Sequence, residues 1–159
     1  MSKRSAPLSP SSVLLQAIDT AFDKKSWHGT TLLGAVRGVD ARTAARRVHG
    51  RRSVWEQVLH AAYWKHRVLN KLAGPSRLPR EGSDWPKLPD PPDEASWRAD
   101  VELLRDIQRR LRAAVEALPA AKLRDAQVVW LTHGAAAHDL YHAGQIKLLL
   151  RLIADASRQ

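Results

Sequence analysis

The 159-residue sequence predicts an all-α fold, a four-helix bundle, on three observations. Four stretches carry apolar residues at steps of three and four, the period of a helix with one buried face. No stretch alternates apolar and polar residues as a half-buried strand does. Helix-start and helix-stop residues bracket the helical stretches. Long helices without a strand bury their apolar stripes most economically against one another.

Taken in order, Ser9 before Pro10 is an N-cap and first-turn pair, and Leu14, Ile18, Ala21 and Phe22 then share one face. Residues 1–9 are expected to be a flexible N-terminus and residues 10–157 a single domain. Residues 27–40, "WHGTTLLGAVRGVD", hold three glycines and no clear period, so they read as a connecting loop. Asp40 then caps a short helix in "DARTAARR". Ser53 followed three residues later by Glu56 is a capping box that opens the second long helix, and Gly74-Pro75 stops it.

Residues 74–92 contain six of the nine prolines and form a crossover that Leu78, Trp85 and Leu88 can pin to the bundle. That connection is too long for a tight turn. It suits a chain carried from one end of the bundle to the other, with the second and third helices parallel. Asp93 caps the third helix, whose Trp97, Val101, Leu104, Leu111, Val115 and Leu118 form a stripe interrupted at Gln108; Pro119 ends it. The last helix is expected to begin between Gln127 and Thr132 and to run to about Asp155.

The formal charge is +10, from 26 Lys and Arg against 16 Asp and Glu. Apart from "ARTAARRVHGRR" (41–52), the basic residues are dispersed. Aromatics make up 6% and do not interleave with them as a stacking platform requires, which argues against nucleic acid as a partner. With no cysteine, any metal must be held by His, Asp or Glu. Gln16 and Asp19 break the first apolar run as a signal-peptide core, and no run reaches the ~18 apolar residues of a membrane span. A cytoplasmic protein with no membrane partner is the expectation.

"HGAAAHDLYHAGQIKLLL" (133–150) places histidines where a bundle wants leucine. The inward stripe of the last helix reads Val128, Leu131, Ala135, His138, His142, Gln145, Leu149 and Leu152. His138 and His142 are one turn apart and about 40° apart around the axis, so both can reach one metal ion if a third ligand comes from another helix. His60, on the unusually apolar second helix, is the candidate. His66, about 240° around from His60, cannot join it, and His133 falls off the core face. Two buried imidazoles paired only by hydrogen bonds remain the alternative.

"HDLYHAGQI" (138–146) resembles the last-helix signature of the DinB/YfiT-like superfamily. "SWHGTTLLGAVRGVD", "RRSVWEQVLHAAYWKHRVL" and "DWPKLPDPPDEASW" resemble its first loop, second helix and crossover, so the likeness spans residues 10–155. The resemblance implies an up-down-down-up bundle with a divalent metal on His60, His138 and His142. Zn or Ni fits first, then Fe or Mn. It also implies an enzyme acting on a small molecule, such as a transferase using an exogenous low-molecular-weight thiol or a hydrolase. A non-catalytic, stress-related metal or small-ligand binding module is the alternative. Glu56, Tyr141, Gln145 and Trp27 are candidates to support the ligands or line the pocket; no catalytic residue stands out. A homodimer would suit a small bundle, and Gly144 reads as a point of close helix approach.

Overall fold

In a computed structural model the described residues, 8–158, are helical with no strand. Four long helices, α1 (Pro10–Phe22), α4 (Val54–Ala73), α5 (Glu94–Glu116) and α6 (Ala126–Ala156), are joined by two short ones, α2 (Leu32–Ala35) and α3 (Ala41–Ala45). A single 3₁₀ turn, Lys122–Arg124, precedes α6. Of the expected flexible N-terminus, residues 1–7 lie outside the described residues, while Ser9 caps α1 by accepting from Ser12 N–H.

The caps read from the sequence form. Asp40 accepts from Thr43 N–H, Asp93 from Ser96 N–H, and Ser53 and Glu56 close a reciprocal capping box at the start of α4. Gly74 ends α4 at φ 93°, a left-handed conformation that glycine adopts without steric cost. The fourth long helix starts earlier than its apolar period suggests, because Asp125 accepts from the N–H groups of Gln127 and Val128 and nucleates a first turn at Ala126.

Residues 27–40 are not simply a loop. Thr31 accepts from Gly34 N–H and starts the single-turn α2, which buries Leu32 and Ala35 against α6 and α1. Four residues are too few to show a period, so its only sequence signal is Thr31 before two leucines.

α4 packs on α5 and α6, and α1 packs on α5 and α6. The apolar interior divides into two clusters. One contains Phe22, Leu32, Trp55, Leu59, Leu104, Ile107 and Ile146; the other contains Leu14, Ile18, Leu111, Val115, Val128 and Ala135. On α5 the changeover falls at Gln108, the residue that interrupts the stripe, and on α6 it falls at Asp139. Both side chains bond the buried Lys65 of α4.

The crossover lies on α4 and α5. Leu78 is buried, Leu88 packs on the first cluster, and Arg80 Nε–H donates to Asp100 at 2.6 Å. The other oxygen of this fully buried carboxylate accepts from Trp55 Nε1–H at 2.8 Å. The crossover is thus tied to α5 through charge as well as apolar contact.

The buried face of α6 is rotated from the predicted stripe. Leu131, His138, Gln145 and Leu152 are only half-buried, whereas Thr132, Ala136, Asp139, Ala143, Ile146 and Ile153 are buried. Packing against α1, α2 and α4 widens the covered face and shifts its centre. His138 therefore sits at the edge of the core, where the helix pair opens. Gly144 is exposed, with no atom within 4 Å of where a Cβ would stand, so no helix approaches it closely.

Candidate metal centre

α4 and α6 bring His60, His138 and His142 together. One ring nitrogen from each lies within 4.8 Å of the other two. His60 and His142 are buried, and His138 is half-buried. The Nε2 atoms of His138 and His142 face each other at 3.1 Å.

Two of the rings are held at their far nitrogens. His60 Nδ1–H donates to the backbone carbonyl of Asp84 at 2.7 Å, and His142 Nδ1–H donates to Gln57 Oε1 at 2.6 Å. Both partners present an acceptor, so the proton is on Nδ1 and Nε2 keeps its lone pair. This is the arrangement in which partners behind a metal-ligating histidine fix its tautomer and orientation.

The electrostatics agree. Burial, reinforced by the neighbouring His60 and by the positive charge of Lys65, brings His138 down to about 4. Burial together with His138 and His60 brings His142 down to about 3. Both rings are neutral at neutral pH, the form that binds a metal. An all-imidazole donor set with two pre-aimed lone pairs fits a divalent transition metal.

The crossover supplies the wall facing the histidines. Trp85 stacks on His60, with ring centroids 3.9 Å apart and planes at 16°, and the Arg52 guanidinium lies 4.8 Å from the centre of the Trp85 ring. Asp84, at φ 59°, also accepts from Trp64 Nε1–H through Oδ1 at 2.7 Å. Arg51, Arg52, Gln57, Tyr141 and Gln145 join the three histidines around a polar cleft of about 480 Å³.

Of the candidate supporting residues, Gln145 and Tyr141 line this cleft, the latter edge-on to His142 with centroids 5.0 Å apart. Glu56 and Trp27 do not. Glu56 turns back along α4 to bond Ser53 N–H, Arg47 and Arg52, so its carboxylate is used at the helix start. Trp27 stands fully in solvent beside the turn closed by Ser26 Oγ–H and Gly29 carbonyl. His66 bonds Ser76 Oγ, and His133 is exposed on α6.

Gln57, Asp84 and Trp85 in their bracing roles are additions from the structure. Gln57 had a readable signal, a polar side chain one turn before His60 on an apolar helix. Asp84 had none, because its carbonyl reaches His60 only through the path of the crossover.

Glu56 gives a pH expectation of its own. Burial alone would raise its carboxyl, but bonds from Arg47, Arg52 and Ser53 outweigh it and bring the value from 4.5 to about 2. A carboxylate lowered on folding contributes stability that is complete above its unfolded value and lost as pH falls through the folded one. In urea melts taken between pH 4.5 and about 2, the stability of Glu56→Gln should therefore fall less steeply than that of the wild type.

The molecule is an all-helical protein with three imidazoles converging between two of its long helices. A model of the DinB superfamily matches residues 26–146. The chain belongs to that superfamily. No match was found among the curated proteins or the solved structures.

Proposed function

We propose that His60, His138 and His142 hold a divalent metal, Zn or Ni, on a one-domain, up-down-down-up four-helix bundle spanning residues 10–157. On this reading the chain is a metal-dependent enzyme that transfers an exogenous small thiol to an electrophile or hydrolyses a small substrate. The observation that carries it is the convergence of three ring nitrogens within 4.8 Å, with two rings aimed from behind by Asp84 and Gln57.

Residue pairings support the bundle direction. Trp55–Asp100 and Lys65–Gln108 advance together along α4 and α5, as parallel helices require. Gln57–His142 and Lys65–Asp139 run counter to each other along α4 and α6.

Three protein ligands leave a coordination position open, the mark of catalytic rather than structural sites. A bound cation would supply Lewis-acid activation of a thiol or of water. The chain's own residues do the rest. Asp84 and Gln57 fix the rings, Trp85 covers His60 from one side, and Tyr141 and Gln145 offer a hydroxyl and an amide at the mouth. Arg51 and Arg52 place positive charge at the rim, suited to an anionic substrate group. The thiol must come from solution, because the chain has no cysteine.

Gln57→Leu should weaken metal binding by about 10–100-fold, read by competition with a chromogenic chelator. The function itself is tested with Zn- or Ni-loaded protein, a panel of cellular thiols and 1-chloro-2,4-dinitrobenzene. In that reaction the thiol sulfur displaces chloride and the thiol proton passes to solvent. Turnover that EDTA and His142→Ala both abolish supports the enzyme. Tight metal binding with no turnover on thiols or ester substrates replaces it with a binding module.

A further inference from the structure

A second concavity adjoins the histidines. It is a trough of about 250 Å³ between α4 and α6, and His138 is a wall of both it and the polar cleft. Along α6 it extends from His138 back to Trp130, eight residues or about 12 Å at the helical rise. Along α4 it follows Trp64, Val68 and Lys71. Its sides are Trp64 and Trp130, which are 43% and 73% exposed, large apolar surfaces of the kind that mark binding sites.

Charge in the trough is unevenly distributed. Lys65 and Asp139 also line it, but they neutralise each other in the core, and Asp139 Oδ1 has no hydrogen-bond partner among the described residues. Arg67 and Lys71 are exposed on the α4 side, and among the described residues neither is ion-paired. The net charge along the trough is therefore positive, and Lys71 lies away from the histidines. A cavity of about 150 Å³ holds benzene, so 250 Å³ has room for a fused pair of rings or a short alkyl chain.

We propose that this trough binds the apolar body of an anionic amphiphile, an aryl or alkyl carboxylate. Its anionic end meets Arg67 and Lys71 while its other end lies against His138. The assignment rests on the reading of the histidines as a ligand-facing centre and specifies the kind of molecule presented to them. Continuity through His138 favours a small ligand over a second copy of the chain. A second copy would cover the tryptophans but has no reason to be placed beside the histidines.

The test uses 2-naphthoate and its neutral analogue 2-naphthylmethanol, titrated into the full chain and followed through the tryptophan indole N–H resonances. Expected is saturable 2-naphthoate binding that shifts two indole signals, assigned to Trp64 and Trp130 by substitution, with the neutral analogue at least tenfold weaker. Gly134→Leu should lower 2-naphthoate affinity at least tenfold, because Gly134 lines the trough and the place of its Cβ is open space. Its melting temperature should not fall, since leucine favours a helix over glycine. The double variant Arg67→Glu/Lys71→Glu should weaken 2-naphthoate and leave 2-naphthylmethanol unchanged.

Absence of saturable binding overturns the proposal. So does equal binding by Gly134→Leu, or equal affinity for the neutral analogue. A concentration-dependent dimer that Gly134→Leu dissociates would assign the trough to a second copy and overturn it as well. Zn uptake by the wild type, read in parallel, keeps the two readings apart. Uptake without 2-naphthoate binding removes the trough and leaves the metal site. Binding in the trough without uptake supports the trough and removes the metal.

Discussion

Replacing Lys65 with methionine is expected to destabilise the fold by about 3–5 kcal/mol, the usual cost of removing one partner of a buried ion pair. For a chain of this length that is a fall of roughly 6–20 °C in melting temperature. The Lys65 Nζ lies 2.5 Å from Asp139 Oδ2 and 2.6 Å from Gln108 Oε1, and 4.3 Å from the centre of the Phe22 ring. Gln108 in turn donates from Nε2 to the Ile18 carbonyl at 3.3 Å, linking the layer to α1. Burial pulls the lysine down and pushes the aspartate up, and their mutual attraction opposes both shifts.

Methionine fills the same space but leaves a buried carboxylate with no cation. The double variant Lys65→Met/Asp139→Leu should recover most of the loss, since replacing a whole buried pair with apolar groups is often neutral. Urea melts of the two variants check this; equal destabilisation would mean that the loss comes from the pair's own stabilisation of the core and not from an orphaned carboxylate. The pair also matters beyond stability. The Lys65 charge is among the influences that keep His138 deprotonated, so the layer that divides the core also favours the form of His138 that a metal would need.

The second large effect is metal-linked. Anything that binds only the native state at 100 times its dissociation constant stabilises by about 2.7 kcal/mol. Zn or Ni at that excess should raise the melting temperature of the wild type by roughly 5–11 °C. EDTA should return it to the apo value. His142→Ala should show no such rise, because it removes a proposed ligand whose Nδ1 bond to Gln57 leaves Nε2 for the metal. A wild type and variant that melt alike with metal would locate any binding elsewhere.

Much of the fold was legible because helix caps are local. Ser9, Asp40, Ser53, Asp93 and Gly74 act within a few residues of where they stand, and each does so in the structure. The convergence of the three histidines was legible for a related reason, since helical periodicity carries His138 and His142 to one side and leaves His60 to meet them. The Lys65–Asp139 pair has a sequence signal of the same kind. Lys65 continues the apolar steps from Val58 and Ala62 to Leu69, and Asp139 those from Ala135 to Ile146, so both fall on buried stripes. Asp84, Trp85 and the short α2 depend on how loops settle on helices, which no local period encodes. A helical glycine such as Gly144 suggests close packing, but its side of α6 faces solvent.

The most direct test of the proposed metal centre is elemental analysis of untagged wild-type protein, purified without chelators, beside His60→Ala, His138→Ala and His142→Ala. An equimolar divalent metal in the wild type, lost from each variant while its helical content is kept, is the expected result. A metal-free wild type that also takes up neither added Zn nor added Ni would contradict it and leave the three histidines as a hydrogen-bonded polar edge of the core.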